Sequence, residues 1–357
     1  MSGHPIPTHV DTALLGEISG RSVVLSYAGV ATEYEALQRY AVVFDRTHRA
    51  RMRISGANAG EMLTGLVTND VASIVPGQGQ YAAALTPKGK IIADVRIFRD
   101  ESSFLVDVPP RAKEGWMSTV RKYVNPRLAP YTDESDAVRD LGVFGASARL
   151  VVGEMTGMSS SALGVLPAYS HAAVIIEGAR VLVARVPDLE IEGFELFAPA
   201  ETYALLWERA LAAKATPGGL QTWEIARVEA GRPEWGVDID ESTLPQEANL
   251  EELHAISYTK GCYTGQETVA RVHFRGHVNK NLRGLRAASP EPPASGATLF
   301  DATGKDVGDV RSTAASPRLG GIALGMVRRE VELGSSLIAR WEEAETRVDV
   351  AHLPFPA

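Results

Sequence analysis

"GQGQYAAALTPKGKIIADVRIFRDESSFLVDVP", Gly77 to Pro109, decides how the first half of the chain folds. Its alternation predicts three short strands, at Gln80–Leu85, Ile91–Phe98 and Ser103–Val108, with turns at "TPKGK" and "RDES". Turns this short force an antiparallel meander, because a parallel crossover needs a dozen or more residues. Upstream, "RMRIS" (Arg51–Ser55) has the period of a strand. "GANAGEMLTGLVTNDV" (Gly56–Val71) places Met62, Leu63, Leu66 and Val67 at helical spacing. Downstream, "PRAKEGWMSTVRKYV" reads as a helix ending before Pro126.

The middle of the chain repeats the mixture. "ARLVVGEM" (Ala148–Met155) and "ARVLVARV" (Ala179–Val186) read as strands, with a Gly/Ser-rich loop, "TGMSSSALGV", between them. "PAETYALLWERALAAKATPGG" reads as a helix with Pro199 near its start. A second helix, "LQTWEIARVEAG", stops at Gly231. Past residue 278 only short strands split by Gly, Pro and Asp occur, the pattern of a small β-barrel or sandwich. "SPEPPASG" (Ser289–Gly296) is either a linker before that barrel or a loop inside it.

With 357 residues, the chain is long enough for two or three domains. Hydrophobic residues at 45% and charged residues at 22% fit a soluble globular protein. A net charge of −8 argues against a general nucleic-acid binder. A single cysteine, Cys262, excludes an internal disulfide and points to a reducing, cytoplasmic setting. "MSGHPIPTHVDTALL" lacks the features of a signal peptide, and no apolar run is long enough to span a membrane. The phosphate-loop, dinucleotide, nucleophile-elbow and H-E-x-x-H motifs are all absent.

The richest chemistry lies in "YTKGCYTGQETVARVHFRGHVNKNLRG", Tyr258–Gly284. Thr264-x-x-Glu267 fits a capping box that starts a helix ending at Gly276. Cys262 then sits just before a helix N-terminus, with Lys260, Arg271 and Arg275 nearby. All of these favour a thiolate. Cys262, His273 and His277 have a C-x10-H-x3-H spacing, but a closed zinc site wants a second cysteine, so no metal is expected. On the central strand Ile91, Ala93, Val95 and Ile97 share an apolar face. Asp94 points the other way with Ile92, Arg96 and Phe98, where it is either an exposed acid paired with Arg96 or lines a cavity, bonding an N–H-rich heterocycle or serving in acid–base work. Glu190, Glu192 and Glu195 in "EIEGFELF" read as a solvated acidic strand or a ligand site. Arg227 reads as a helix arginine paired with Glu224 or Glu229, or as a ligand contact.

"KGCYTGQE" (Lys260–Glu267) resembles the signature of the YgfZ family of folate-binding proteins, relatives of the glycine cleavage T-protein (aminomethyltransferase) that support iron–sulfur enzymes. "FDRTHRARMRISGANAGEMLTGLVTNDV", "ARVEAGRPEWGVDI" and "VGDVRSTAASPRLGGIALGMVRRE" resemble the wider superfamily. The resemblance implies an α+β fold: a T-protein-like ring of two α/β subdomains with antiparallel sheets, plus a C-terminal β-barrel. Residues 1–277 would form the folate-binding unit, its middle subdomain at roughly 51–135, and residues 278–357 the barrel. It further implies tetrahydrofolate or a derivative as cofactor, held by Tyr81, Asp94, Glu195 and Arg227. Cys262 would be the key thiol, with Lys260, Gln266 and Glu267 around it. Folate and iron–sulfur client or assembly proteins would be the partners of a monomer, with neither nucleic acid nor membrane. T-proteins carry Asp-Asp where this chain has Ala93-Asp94, and a glutamate where it has Ile191. Both differences count against an intact aminomethyl-transfer apparatus. The basic run Arg271, His273, Arg275, His277, Lys280, Arg283 and Arg286 is expected to face an acidic partner or a folate polyglutamate tail.

Overall fold

The computed structural model of the protein describes residues 13–356. Most of "MSGHPIPTHVDTALL", and with it the expectation of no signal peptide, lies outside the described residues. A hairpin, β1 (Leu14–Ile18) and β2 (Arg21–Ser26), leads to α1 (Val30–Arg39), β3 (Val42–Asp45), β4 (Ala50–Ser55) and α2 (Ala59–Leu66). The meander follows as β5 (Gly79–Leu85), β6 (Ile91–Arg99) and β7 (Ser103–Val108), then α3 (Lys113–Tyr123), β8 (Tyr131–Asp133) and β9 (Val138–Phe144). Next come α4 (Ala148–Thr156), α5 (Ser160–Gly164), β10 (His171–Ile176), β11 (Ala179–Arg185) and β12 (Gly193–Pro199). The chain continues through α6 (Tyr203–Ala212), β13 (Thr216–Gly218), α7 (Leu220–Glu229) and α8 (Gln266–Arg275). It ends in β14 (Lys280–Ala287), β15 (Thr298–Phe300), β16 (Asp306–Ser316), β17 (Gly320–Arg328), β18 (Ser336–Trp341) and β19 (Ala344–Ala351).

The meander strands lie within a residue of their predicted bounds, in a five-stranded sheet ordered β5-β6-β7-β4-β8. A six-stranded sheet has the order β10-β11-β12-β9-β3-β13, antiparallel except where β13 runs parallel to β3. The carboxy-terminal strands close a barrel, β14-β17-β16-β15-β18-β19, in which β19 returns to β14. Its core is Leu285, Leu299, Val310, Ala323, Leu337, Val348 and Val350. Ser289–Gly296 joins β14 to β15 and is therefore a loop of the barrel rather than a linker before it.

Two compact units interleave along the chain. The first comprises the chain up to Leu63, Val71–Tyr81 and Val95–Trp223. The second comprises Thr64–Asp70, Ala82–Asp94 and the chain from Glu224 onward.

Three expectations are corrected. Ala148–Thr156 is a helix, not a strand: Ala148, Val151, Val152 and Met155 are its buried stripe, and this 3.6-residue spacing outweighs the β-branched pair. The expected loop at Thr156–Val165 contains α5, whose start is stabilised where the Ser159 hydroxyl accepts from the Ala162 N–H at 3.2 Å. Pro199 ends β12 instead of starting α6, and a single 3-10 turn, Ala200–Thr202, separates the two.

Candidate functional site

The signature loop belongs to the second unit. Its helix, α8, does not begin with the expected capping box. The cap is Gly265, in the left-handed region at φ 83°, and no side chain caps the helix. A Cβ on Gly265 would lie 2.6 Å from the Thr86 carbonyl oxygen and 3.0 Å from Gly89 Cα, so the cap position needs a glycine on both counts. Thr264 is one residue too early and Glu267 stands at the second helical position. The Thr264 N–H instead donates to the Gly65 carbonyl at 3.2 Å.

Around Cys262 the chain alternates inward and outward. Lys260 and Tyr263 are buried, whereas Gly261 and Cys262 are exposed. Lys260 Nζ donates to the Val67 carbonyl at 2.7 Å and to the Thr64 carbonyl, satisfying oxygens at the end of α2 that have no partner in the helix. The same ammonium lies 4.3 Å from the Tyr263 ring centroid. Lys260 and Tyr263 thus anchor the loop and leave the thiol between them turned to solvent. Gln266 is half-buried at the first position of α8, and Glu267 is exposed on its first turn.

Burial pushes Lys260 down to about 8, against the pull of Asp70 and Cys262, and pushes the Tyr263 hydroxyl up to about 12. The folded state therefore binds the Lys260 proton less tightly than the unfolded chain, whose lysines titrate near roughly 10.4. The Lys260 contribution to stability is fully present above the unfolded value and is lost as the pH falls through about 8. Denaturant unfolding of Lys260→Met should show a flatter pH dependence between those limits than wild type. Equal slopes would refute the assignment.

The basic run divides among several roles. His273 Nδ1 lies 2.9 Å from Glu251, and its ring stacks on Tyr258 at 3.7 Å. Lys280, Arg283 and Arg286 lie on β14. Arg271 lines a cavity of about 490 Å3 with Pro87, Lys88, Lys90, Leu244, Glu267 and Thr268. Among the described residues, no group of three or more His, Cys, Asp or Glu is arranged to hold a metal ion.

Asp94 and Arg227 also belong to the second unit. Asp94 is 7% exposed, so its side of β6 does not meet solvent and it is not an exposed acid. Arg227 has the expected helical neighbour, Glu224, at 2.5 Å, but it also donates to Asp238 at 2.7 Å, to the Arg232 carbonyl at 2.7 Å and to Ser312 at 2.6 Å. It is a buried tie between α7 and the barrel strand β16.

Tyr81 and Glu195 belong to the first unit. The Tyr81 ring stacks on Tyr169 at 6.2 Å. Glu195 is fully buried on β12 rather than on a solvated acidic strand. Arg96 lies 2.6 Å from its Oε2 and Arg46 lies 3.7 Å from its Oε1, yet neither oxygen receives a hydrogen bond of good geometry. Glu195 is one edge of a buried charge network. Asp107 binds Arg49 at 2.7 Å and Arg96 at 2.7 Å, Arg51 lies 3.3 Å from Asp140, and Arg96 reaches Asp188 at 2.9 Å. Burial and the neighbouring Glu195 raise Asp140 well above the ordinary carboxylate range. For Asp107 burial acts in the same direction, but Arg49, Arg96 and Arg51 outweigh it and hold the carboxyl below that range. Burial, with Arg46, Arg49 and Arg51, drives His48 far below its usual value, so it is a neutral imidazole. Sequence reading missed this network. Its signal was "DRTHRARMR" (Asp45–Arg53), where four arginines run into a strand whose alternate residues Ala50, Met52 and Ile54 are apolar.

A family model described as the GCVT N-terminal domain matches residues 10–257. The chain belongs to the GCVT family. Aminomethyltransferase from Rubrobacter xylanophilus is 30% identical over 96% of this chain and 90% of its own length. That from Saccharopolyspora erythraea is 29% identical over 96% and 94%. The crystal structure of glycine cleavage system aminomethyltransferase T from Bartonella henselae superimposes with a TM-score of 0.86 at 24% identity, covering 96% of this chain and 94% of that one. The GCVT fold thus runs through the whole described chain, barrel included. Among the described residues of this GCVT chain, no helix is long and apolar enough to cross a membrane.

Proposed function

We propose that this GCVT-family protein binds tetrahydrofolate or a derivative and works through Cys262, as a member of the YgfZ branch that supports assembly or repair of iron–sulfur enzymes. The observation that carries this reading is the form of the signature loop. Lys260 and Tyr263 are spent on anchoring, and the one thiol of the chain is left exposed between them. A thiol placed this way is built to meet another molecule rather than to pack a core. One cysteine does not hold a cluster alone, since clusters take about four thiolates, so any cluster contact is shared with the client.

The first unit has chemistry that fits a folate. Glu195 is a buried, ion-paired carboxylate with acceptor capacity on both oxygens, suited to the N–H groups of a pterin. Tyr81 offers an aromatic face in the same unit. Asp94 and Arg227 are carried to the same role by motif position. Bound tetrahydrofolate would supply a one-carbon carrier; the protein's part is to bind and orient it. Glu195→Gln should weaken tetrahydrofolate binding by about tenfold, on the order of one charge-assisted hydrogen bond. Unchanged affinity in a calorimetric titration would remove Glu195 from the ligand.

The second reading is a folate-dependent aminomethyltransferase, favoured by the names of the relatives. Ala93 and Ile191, where T-proteins carry acids, weigh against it. Methylene-tetrahydrofolate formation from aminomethylated lipoyl protein decides between them. No turnover above background supports the thiol reading, and turnover at enzyme rates would replace it.

A further inference from the structure

The signature helix and the meander turn together build a surface that the thiol reading leaves unexplained. The turn at Thr86–Lys90 packs on the start of α8, where Gly89 lies so near that a Cβ there would sit 2.8 Å from Thr268 Cβ. This contact brings Lys88 and Lys90 beside Arg271, around the cavity of about 490 Å3. Lys90 is 3.8 Å from Glu247, whereas Lys88 and Arg271 are in no ion pair among the described residues. Two unpaired cations and one weakly paired one, in a chain of net charge −8, form a local basic site in an acidic protein.

The site continues along the helix. On α8, residues 267, 268, 271, 274 and 275 share one face by the 3.6-residue period, while Val269 is the buried residue of the helix. Three of the five line the cavity. The other two are Phe274, 66% exposed, and Arg275. Phe274 lies three residues beyond Arg271, outside the cavity lining, its ring edge-on to His273 at 4.7 Å and to Tyr258 at 5.9 Å, and an exposed aromatic held in this way is a suitable anchor for a binding partner. Leu244 and Pro87 add apolar wall to the cleft itself.

We propose that Lys88, Lys90, Arg271, Phe274 and Arg275 dock an acidic peptide segment, carrying an apolar side chain, of the protein on which Cys262 acts. This rests on the reading of Cys262 as a working thiol. The occupant is a protein segment because the exposed thiol lies four residues before α8, whose Glu267, Thr268 and Arg271 line the cleft, and because the basic face is prolonged by an apolar anchor that a polyanion alone would not need.

The test is fluorescence anisotropy of a labelled α-linked pentapeptide, four glutamates around a leucine, titrated with the full chain at low salt. Wild type should bind saturably. Lys88→Glu with Arg271→Glu should weaken binding by about tenfold or more, while Glu267→Lys, which removes the one acid of the cleft, should tighten it. Because these side chains are exposed, circular dichroism should match wild type, and the opposite effects of the two variants separate docking from misfolding. Cys262→Ser should bind the peptide as wild type does, so docking stands even if the thiol proves idle. Equal binding by wild type and the charge-reversed variant would overturn the proposal. So would tighter binding of γ-linked tetraglutamate than of the peptide, which would assign the cleft to a folate tail.

Discussion

Cys262→Ser should leave folding and tetrahydrofolate affinity intact and reduce support of an iron–sulfur client enzyme by on the order of a hundredfold or more. The thiol is exposed, so its replacement by a hydroxyl creates no cavity and breaks no packing. The loop is held by Lys260 and Tyr263, which the change does not touch. A serine hydroxyl titrates far above a thiol and is a poor soft-metal ligand, so nearly all chemistry of the position is lost while its shape is kept. Reconstitution of a client enzyme with wild type and variant measures the effect. Full activity of the variant would make Cys262 a surface residue and nothing more.

Asp107→Asn should be strongly destabilising, costing about 3–5 kcal/mol. Asp107 is fully buried on β7 and is the shared partner of Arg49 and Arg96, both at 2.7 Å, with Arg51 at 3.9 Å. The amide keeps the volume but removes the charge, leaving buried guanidinium groups short of a counterion in a site that water does not screen. The pH dependence has a definite sign. The carboxyl of Asp107 titrates lower in the folded protein than in the unfolded chain, so its contribution is fully present above the ordinary carboxylate range. It is lost as the pH falls below that range. Asp140 works the other way: raised in the folded state, its contribution is greatest at low pH and falls as the pH rises past the ordinary carboxylate range. Denaturant unfolding at neutral pH should therefore separate wild type from Asp107→Asn widely, and the gap should narrow in acid. A gap of under about 1 kcal/mol at neutral pH would show that the arginines redistribute among Asp140, Asp188 and Glu195.

The meander and the barrel were legible in the sequence because both are governed by local chemistry: strand alternation broken by Gly, Pro and Asp turns. The error at Ala148–Met155 arose because apolar residues there fit both periods over so short a window, and only the buried core beneath the helix selects one. The capping box was a fair pattern defeated by a contact between distant segments. Gly265 must pass under Thr86 and Gly89, and no reading of residues 258–275 alone could show it. The charge network was hidden for a similar reason. Asp107, Asp140 and Glu195 come from three strands and Arg49 from the turn between β3 and β4, and each alone looks like a surface residue. Asp94 and Glu195 were picked out by motif, yet their burial could not be read from alternation, since both faces of β6 are covered.

The most direct test of the account is calorimetric titration of tetrahydrofolate into wild type and Cys262→Ser side by side. Saturable, equal binding to both is expected, since the thiol is assigned to a partner's chemistry and not to holding the folate. Absence of saturable binding to the wild type, or binding that disappears with the thiol, would contradict it.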